Sequence, residues 1–402
     1  MTISLDRPVS VVAPDPAVRW LAVLALALGG FGIGTTEFVA MGLLPDIASS
    51  LGITEPTAGH VISAYALGVV IGAPLIAALA ARVPRKTLLL GLMAVFTLGN
   101  LASVLAPSYE TLMIARFVAG FPHGAYFGVA ALAATHLMGR HNRAKAVAHV
   151  MCGLTVATVI GVPMASWLGQ ALGWRSAFGL VVAVGAVTLT ALWFWLPTQL
   201  RTMHVTSPLT ELAALKRVQV WLALAVGMIG FGGMFAVYTY ISTTMTDVAG
   251  LPRSLVPLAL MVFGGGMVVG NLVGGRLADQ SVIRALYVSI GALGIILAVF
   301  VLASHNPWTA LLVLFGIGAA GSAVAPALQT RLMDVAHDAQ TLAAALNHSA
   351  LNIGNATGAW VGGLVIAAGF GYTAPAAAGA LLAATGLVVL TISVALQRRS
   401  LV

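Results

Sequence analysis

Stretches of predominantly apolar residues recur along the whole chain, each about as long as the roughly 20-residue helix that crosses the hydrocarbon core of a bilayer. They lie at 19–45, 57–81, 87–106, 110–137, 145–170, 175–197, 218–246, 254–278, 285–303, 307–331, 340–368 and 373–396. In lipid, every backbone N–H and C=O must be satisfied within the chain, and long unalternating apolar runs achieve this as helices. The chain is therefore expected to be an all-α integral membrane protein with 12 transmembrane helices. Its 60% apolar and 7% charged residues exclude a soluble fold, and its 45 glycines in 402 residues suit helices that approach closely.

A polar, proline-containing tail at 1–18 precedes a window of full length, so no cleavable signal is expected. With the N-terminus inside, sixteen lysines and arginines fall in segments on the cytoplasmic side, and only Arg175 and Arg253 fall on the other. That asymmetry follows the positive-inside rule and accounts for the net charge of +8 without nucleic acid. Both termini are thus expected in the cytoplasm, in a bacterial inner membrane. The single Cys152 lies within the fifth window, so no intramolecular disulfide can form.

Shifting the sequence by 198 residues brings landmarks into register: Arg19 with Arg217, Gly72 with Gly270, Lys86 with Arg284, Gly120 with Gly318, and Gly173-Trp174 with Gly371-Tyr372. A six-helix unit used twice, at 19–197 and 218–396, explains the common offset. The polar connector 198–217 would join the halves on the cytoplasmic side, with a short tail at 397–402. Six windows separate equivalent positions, so both copies face the same way, the arrangement in which two halves rock around a midplane site.

Several motifs sit at matching places. The loop after the second window reads Ala77 to Ala81, then Arg82, Val83, Pro84, Arg85 and Lys86. This is similar to the G-x-x-x-D-R-x-G-R-[RK] loop of the major facilitator superfamily, with Ala77, Ala81 and Pro84 in place of Gly, Asp and Gly. Its echo in the second half, Gly275-Arg276-Leu277-Ala278-Asp279, keeps the acid. Leu112, Arg116 and Gly120 resemble the superfamily's L-x-x-x-R-x-x-x-G pattern, and Gly161-Val162-Pro163 with Gly169 resembles a loosened antiporter motif. The runs Gly34-Thr35-Thr36-Glu37-Phe38-Val39 and Ala345 to Asn355 resemble the twelve-span branch of drug:proton antiporters and bacterial sugar-efflux transporters. The resemblance covers essentially the whole chain and implies the major facilitator fold with proton-driven export of a sugar or drug. It also implies that Arg82, Arg85, Lys86 and Asp279 latch the halves, and that Gly161 and Pro163 serve the conformational change.

The residues themselves propose the chemistry. Glu37 is a lone carboxylate within the first window, and such a residue is a functional candidate by default. Arg116 lies at a comparable depth in the fourth window, so making and breaking a Glu37–Arg116 pair could load and unload a proton; a permanent architectural bridge is the rival reading. His123, seven residues on and on nearly the same face, could relay protons or bind substrate, or be satisfied by backbone such as the Val118 carbonyl. His348, Asn352 and Asn355 form a polar stripe suited to holding a substrate, while Gly354, Gly358 and Gly362 form a packing seam. Phe235 and Tyr238 share an aromatic face, and together with Tyr240 and Asn271 they are further substrate-contact candidates, although tyrosines near a helix end also serve as interfacial anchors.

No P-loop, C-x-x-C, H-E-x-x-H or carboxylate cluster is present, so no cofactor, metal or enzymatic activity is expected. The partners are then a small molecule, protons and the bilayer, with the chain acting as a monomer. Proton symport or facilitated uptake would use the same carboxylate, while an intramembrane enzyme would not require the duplication.

Overall fold

The computed structural model describes residues 16–79, 83–139, 142–198, 214–336 and 340–399. Most of the expected tails and connector therefore lies outside the described residues. The chain runs back and forth through twelve spans: Val18–Gly42, Glu55–Ile76, Arg85–Leu105, Tyr109–Met138, Lys145–Leu172, Trp174–Trp195, Val218–Tyr238, Arg253–Gln280, Val282–Ala303, Pro307–Ala336, Leu346–Ala367 and Ala374–Arg398. They are numbered one to twelve below. No strand occurs among the described residues. Spans one, three and the other odd-numbered ones start at what we call the near face and end at the far face.

Some spans are broken where sequence chemistry demands it. Span four consists of two helices, Tyr109–Gly120 and His123–Met138, because Pro122 has no N–H and its ring crowds the preceding turn. Span five carries a π turn at Ala157–Gly161 just before Pro163. Span seven was expected as one helix over 218–246. Instead it has a π turn at Val226–Gly230, an interruption at Thr239 and Tyr240, and a second π turn at Thr244–Val248. Such turns release backbone groups and re-aim side chains, and they concentrate at working sites.

The 198-residue offset has a physical counterpart. A Cβ at Gly72 would strike the Phe121 carbonyl, and one at Gly270 would strike the Ala319 carbonyl at the equivalent place. Gly120 meets the Tyr65 carbonyl just as Gly318 meets the Phe263 carbonyl. Spans two and four therefore pack as spans eight and ten do, backbone against backbone, which is the reason those glycines recur.

The halves meet mainly along spans two and eleven and along spans five and eight. Toward the far face they share one apolar core, in which Phe38, Val39 and Leu44 of the first half join Phe235, Tyr238 and Phe263 of the second. Toward the near face, the core built from Ala22, Leu26, Met93, Phe127, Ala133 and Val150 contains no residue of the second half. The arrangement is closed at the far face.

Candidate functional site

Glu37 lies about four-fifths of the way along span one, at the boundary between the halves, and is 7% exposed. Among the described residues its carboxyl makes no hydrogen bond or ion pair. Arg116, Tyr65 and Tyr238 are close enough for their charges to act on it or it on them. The direct Glu37–Arg116 bridge weighed from the sequence is absent: the one ion pair among the described residues is Arg253–Asp46.

Arg116 instead binds the residue next to Glu37. Its Nη1 donates to Thr36 Oγ1 at 2.8 Å and its Nη2 to the Thr36 carbonyl at 2.9 Å. The guanidinium carbon stands 4.4 Å from the ring centroid of Tyr65 and 5.1 Å from that of Phe178. A fully buried cation is thus held by neutral oxygens and aromatic faces, both of which attract it. Thr36 Oγ1 also donates to Asn100 Oδ1 at 2.5 Å, and Asn100 Nδ2 donates to the Phe96 carbonyl at 2.8 Å.

His123 is reached through Tyr65, whose hydroxyl lies 3.0 Å from His123 Nδ1. The Val118 carbonyl suggested as its partner accepts from the Phe121 N–H at 3.3 Å instead. Across the interface, the His348 ring centroid is 6.3 Å from that of His123, and His348 lies parallel to Phe127 at 6.1 Å. Glu37, Arg116, Tyr65 and His123, all buried, and the half-buried His348 therefore form one sequence of groups running from span one to span eleven.

Beyond His348, span eleven separates its faces as its spacing suggests. Gly354 and Gly358 pack against span seven, where a Cβ at Gly358 would strike the Gly232 carbonyl. Asn352 and Asn355 are buried, and Asn352 Oδ1 and both amide atoms of Asn355 have no hydrogen-bond partner. Buried amides left open in this way mark a place that needs water or a polar ligand.

Phe235 and Tyr238 form an aromatic plug with residues the sequence did not single out. Phe38 stacks on Phe235 at 6.1 Å and meets Tyr238 edge-on at 6.0 Å, while Tyr238 lies flat on Phe263 at 3.8 Å. Under the 198-residue offset Phe235 is the counterpart of Glu37, so the plug stands level with the acid. Two other expected contacts are not brought to the site. Tyr240 donates to the Ala359 carbonyl at 2.9 Å and fills the gap between spans seven, eleven and two, so its hydroxyl is already engaged. Asn271 is exposed beside Leu272 and Val273, because Gly270 and Gly274 take the packed face of span eight.

The halves are bonded at the far face. Arg253 donates to Asp46, and Thr243 Oγ1 donates to Glu55 Oε2 at 2.6 Å. Tyr372 hydrogen-bonds the same Glu55 carboxylate; burial and that carboxylate push its phenol up to about 12, so it is neutral in this role. The expected near-face latch is not formed among the described residues. Lys86 Nζ donates to the Trp193 carbonyl at 2.7 Å within its own half, Arg85 Nη1 is buried without a partner, and Asp279 is exposed and unpaired. Arg82 lies outside the described residues. The π turn before Pro163 brings Gly161 against Thr35 of span one, and the Thr158 carbonyl against Gly264 of span eight.

Thr36 and Phe38 stand in the run that carries the family resemblance but had no role attached, and Tyr65, Asn100 and the far-face pairs were not singled out by the sequence. Of the latter, Asn100 carried a signal, as a lone amide in an apolar span, which is the rule that singled out Glu37.

Comparison with known proteins places this geometry. The family model described as Major Facilitator Superfamily matches residues 26–347 and 254–400. The inner membrane transport protein YdhP of Escherichia coli (strain K12) is 42% identical over 92% of this chain and 95% of its own length. The chloramphenicol resistance protein of Streptomyces lividans is 35% identical, covering 92% of this chain and 95% of its own. A probable sugar efflux transporter of Pasteurella multocida (strain Pm70) is 31% identical, covering 92% and 91%. Among solved structures, a bacterial homologue of the human lysosomal transporter Spinster, in an inward-facing and unoccupied conformation, superimposes with a TM-score of 0.71 at 18% identity, over 95% of this chain and 96% of that one.

Proposed function

Because the chain belongs to the major facilitator superfamily and is a membrane transporter with efflux-type relatives, we propose that it is a proton-coupled exporter of a small neutral molecule, a sugar or a drug, working by alternating access. It would act as a monomer in the inner membrane. The near face, which carries the excess of lysine and arginine, would be cytoplasmic together with both termini.

One observation carries the proposal. Glu37 is a buried carboxyl with no hydrogen bond or ion pair among the described residues, beside a guanidinium that is bound elsewhere. A structural acid in a membrane bundle is expected to be paired, whereas one that must take up and release a proton needs a partner it can leave. The open amides of Asn352 and Asn355 suit the hydroxyl and carbonyl groups of a neutral substrate, and His348 beside them links that stripe to His123 and Tyr65. The Phe38–Phe235–Tyr238 plug would close the path outward while substrate enters from the near face. A neutral substrate fits because the open groups offered to it, the Asn352 and Asn355 amides, are themselves uncharged.

The test is substrate-induced dissipation of a pH gradient in proteoliposomes, screened over sugars and neutral hydroxyl-bearing drugs. Wild-type protein should collapse the gradient with at least one of them. Glu37→Gln should bind that substrate with unchanged affinity and move no protons. Gradient-driven transport by Glu37→Gln at the wild-type rate would overturn the assignment.

A further inference from the structure

The links around Thr36 have a fixed direction. Asn100 Nδ2 donates to the Phe96 carbonyl, so Asn100 Oδ1 faces Thr36 and can only accept. The Thr36 hydroxyl must give its single proton to Asn100, which leaves it lone pairs and no proton toward Arg116. Asn100 thereby sets the Thr36 hydroxyl permanently as an acceptor for the guanidinium. The Thr36 carbonyl adds a second acceptor 2.9 Å from Nη2, and the Tyr65 and Phe178 rings flank the same group.

We infer that Thr36 and Asn100 are positioning residues that compete with Glu37 for Arg116, and so set the pH at which Glu37 releases its proton. The inference rests on the proton-coupling reading above. With the guanidinium drawn to Thr36, its attraction on a Glu37 carboxylate is weakened. With it freed, Arg116 can turn to Glu37 and favour the charged form. Thr36 and Glu37 are consecutive residues on span one, so the guanidinium needs only a side-chain movement to pass from one acceptor to the other. The other titratable groups acting on Glu37 are Tyr65 of span two and Tyr238 of span seven, with His123 of span four one hydrogen bond beyond Tyr65. None of these is a cation that could take the place of Arg116 while the histidine is neutral.

The experiment follows the Glu37 carboxyl directly, by infrared difference titration of the protein in proteoliposomes, with the band identified by its loss in Glu37→Gln. Substrate-driven proton movement is measured over the same pH range. In Thr36→Val and in Asn100→Leu both midpoints should move to lower pH by about one unit, a tenfold change in apparent proton affinity. Thr36→Ser, which keeps the hydroxyl, should restore the wild-type midpoint, and substrate affinity below the midpoint should not change in any variant. Infrared midpoints equal to wild type in two folded variants would overturn the clamp, as would a Glu37 band that does not titrate at all. A band that shifts as expected in a protein showing no substrate-driven proton movement would instead overturn the coupling reading and leave the clamp standing.

Discussion

At the scale of the residue, a fully buried guanidinium whose acceptors are a hydroxyl and a backbone carbonyl can be substituted by nothing else. Lysine carries the charge but has a compact head that cannot span both Thr36 oxygens while lying between the Tyr65 and Phe178 rings. Losing one charge-assisted bond in a buried site costs about 2 kcal/mol. Arg116→Lys should therefore lower the initial rate of gradient dissipation by roughly 30-fold, with the protein still folded by circular dichroism. Tyr240→Phe is the contrasting case. Its hydroxyl is bonded to the Ala359 carbonyl, so the loss should appear as about 1 kcal/mol of stability in thermal unfolding, with substrate affinity unchanged. Glu37 could be read from the sequence because charge in an apolar span is rare, whereas Thr36, in the same run, carried no chemistry that set its role apart. Its importance comes from Arg116 and Asn100, which are 80 and 64 residues away.

At the scale of the element, spans two, four, eight and ten work because glycine lets their backbones touch. Overpacking such a contact costs about 1–3 kcal/mol. Gly270→Ala should destabilise the protein by that order, because the new methyl meets the Ala319 carbonyl and backbone cannot move aside cheaply. Gly91→Ala adds its methyl to open space and should leave the unfolding temperature unchanged or slightly raised. Equal unfolding temperatures for the two variants would show that the glycine contacts carry no packing role. The existence of the helices was legible throughout, since length and hydropathy alone decide them. The breaks were less so. Pro122 and Pro163 announce two of them, but the π turns of span seven carry no proline; the first lies packed against spans eleven and twelve and the second beside span eight.

At the scale of the whole molecule, the halves are bonded at the far face and lack a shared core at the near face among the described residues. Thr243 and Glu55 come from different halves, so joining them should arrest the rocking. In a Cys152→Ser background, Glu55→Cys with Thr243→Cys treated with a short thiol cross-linker should stop transport, and reduction should restore it. Transport that continues through the cross-link would exclude separation of the far face as part of the cycle. The sequence by itself determined the class of protein, the number of spans and the duplication, and it pointed to the lone acid. These depend on composition, local periodicity and internal repetition, all of which survive in a linear string. Only the tertiary structure decided that Arg116 is held by Thr36 and not by Glu37, that the Tyr240 hydroxyl is bonded to the Ala359 carbonyl while Tyr238 stacks on Phe263, and which face is shut. Each of these is a choice among partners brought together by helix packing from distant parts of the chain, and a side chain's partners are set by what that packing places beside it.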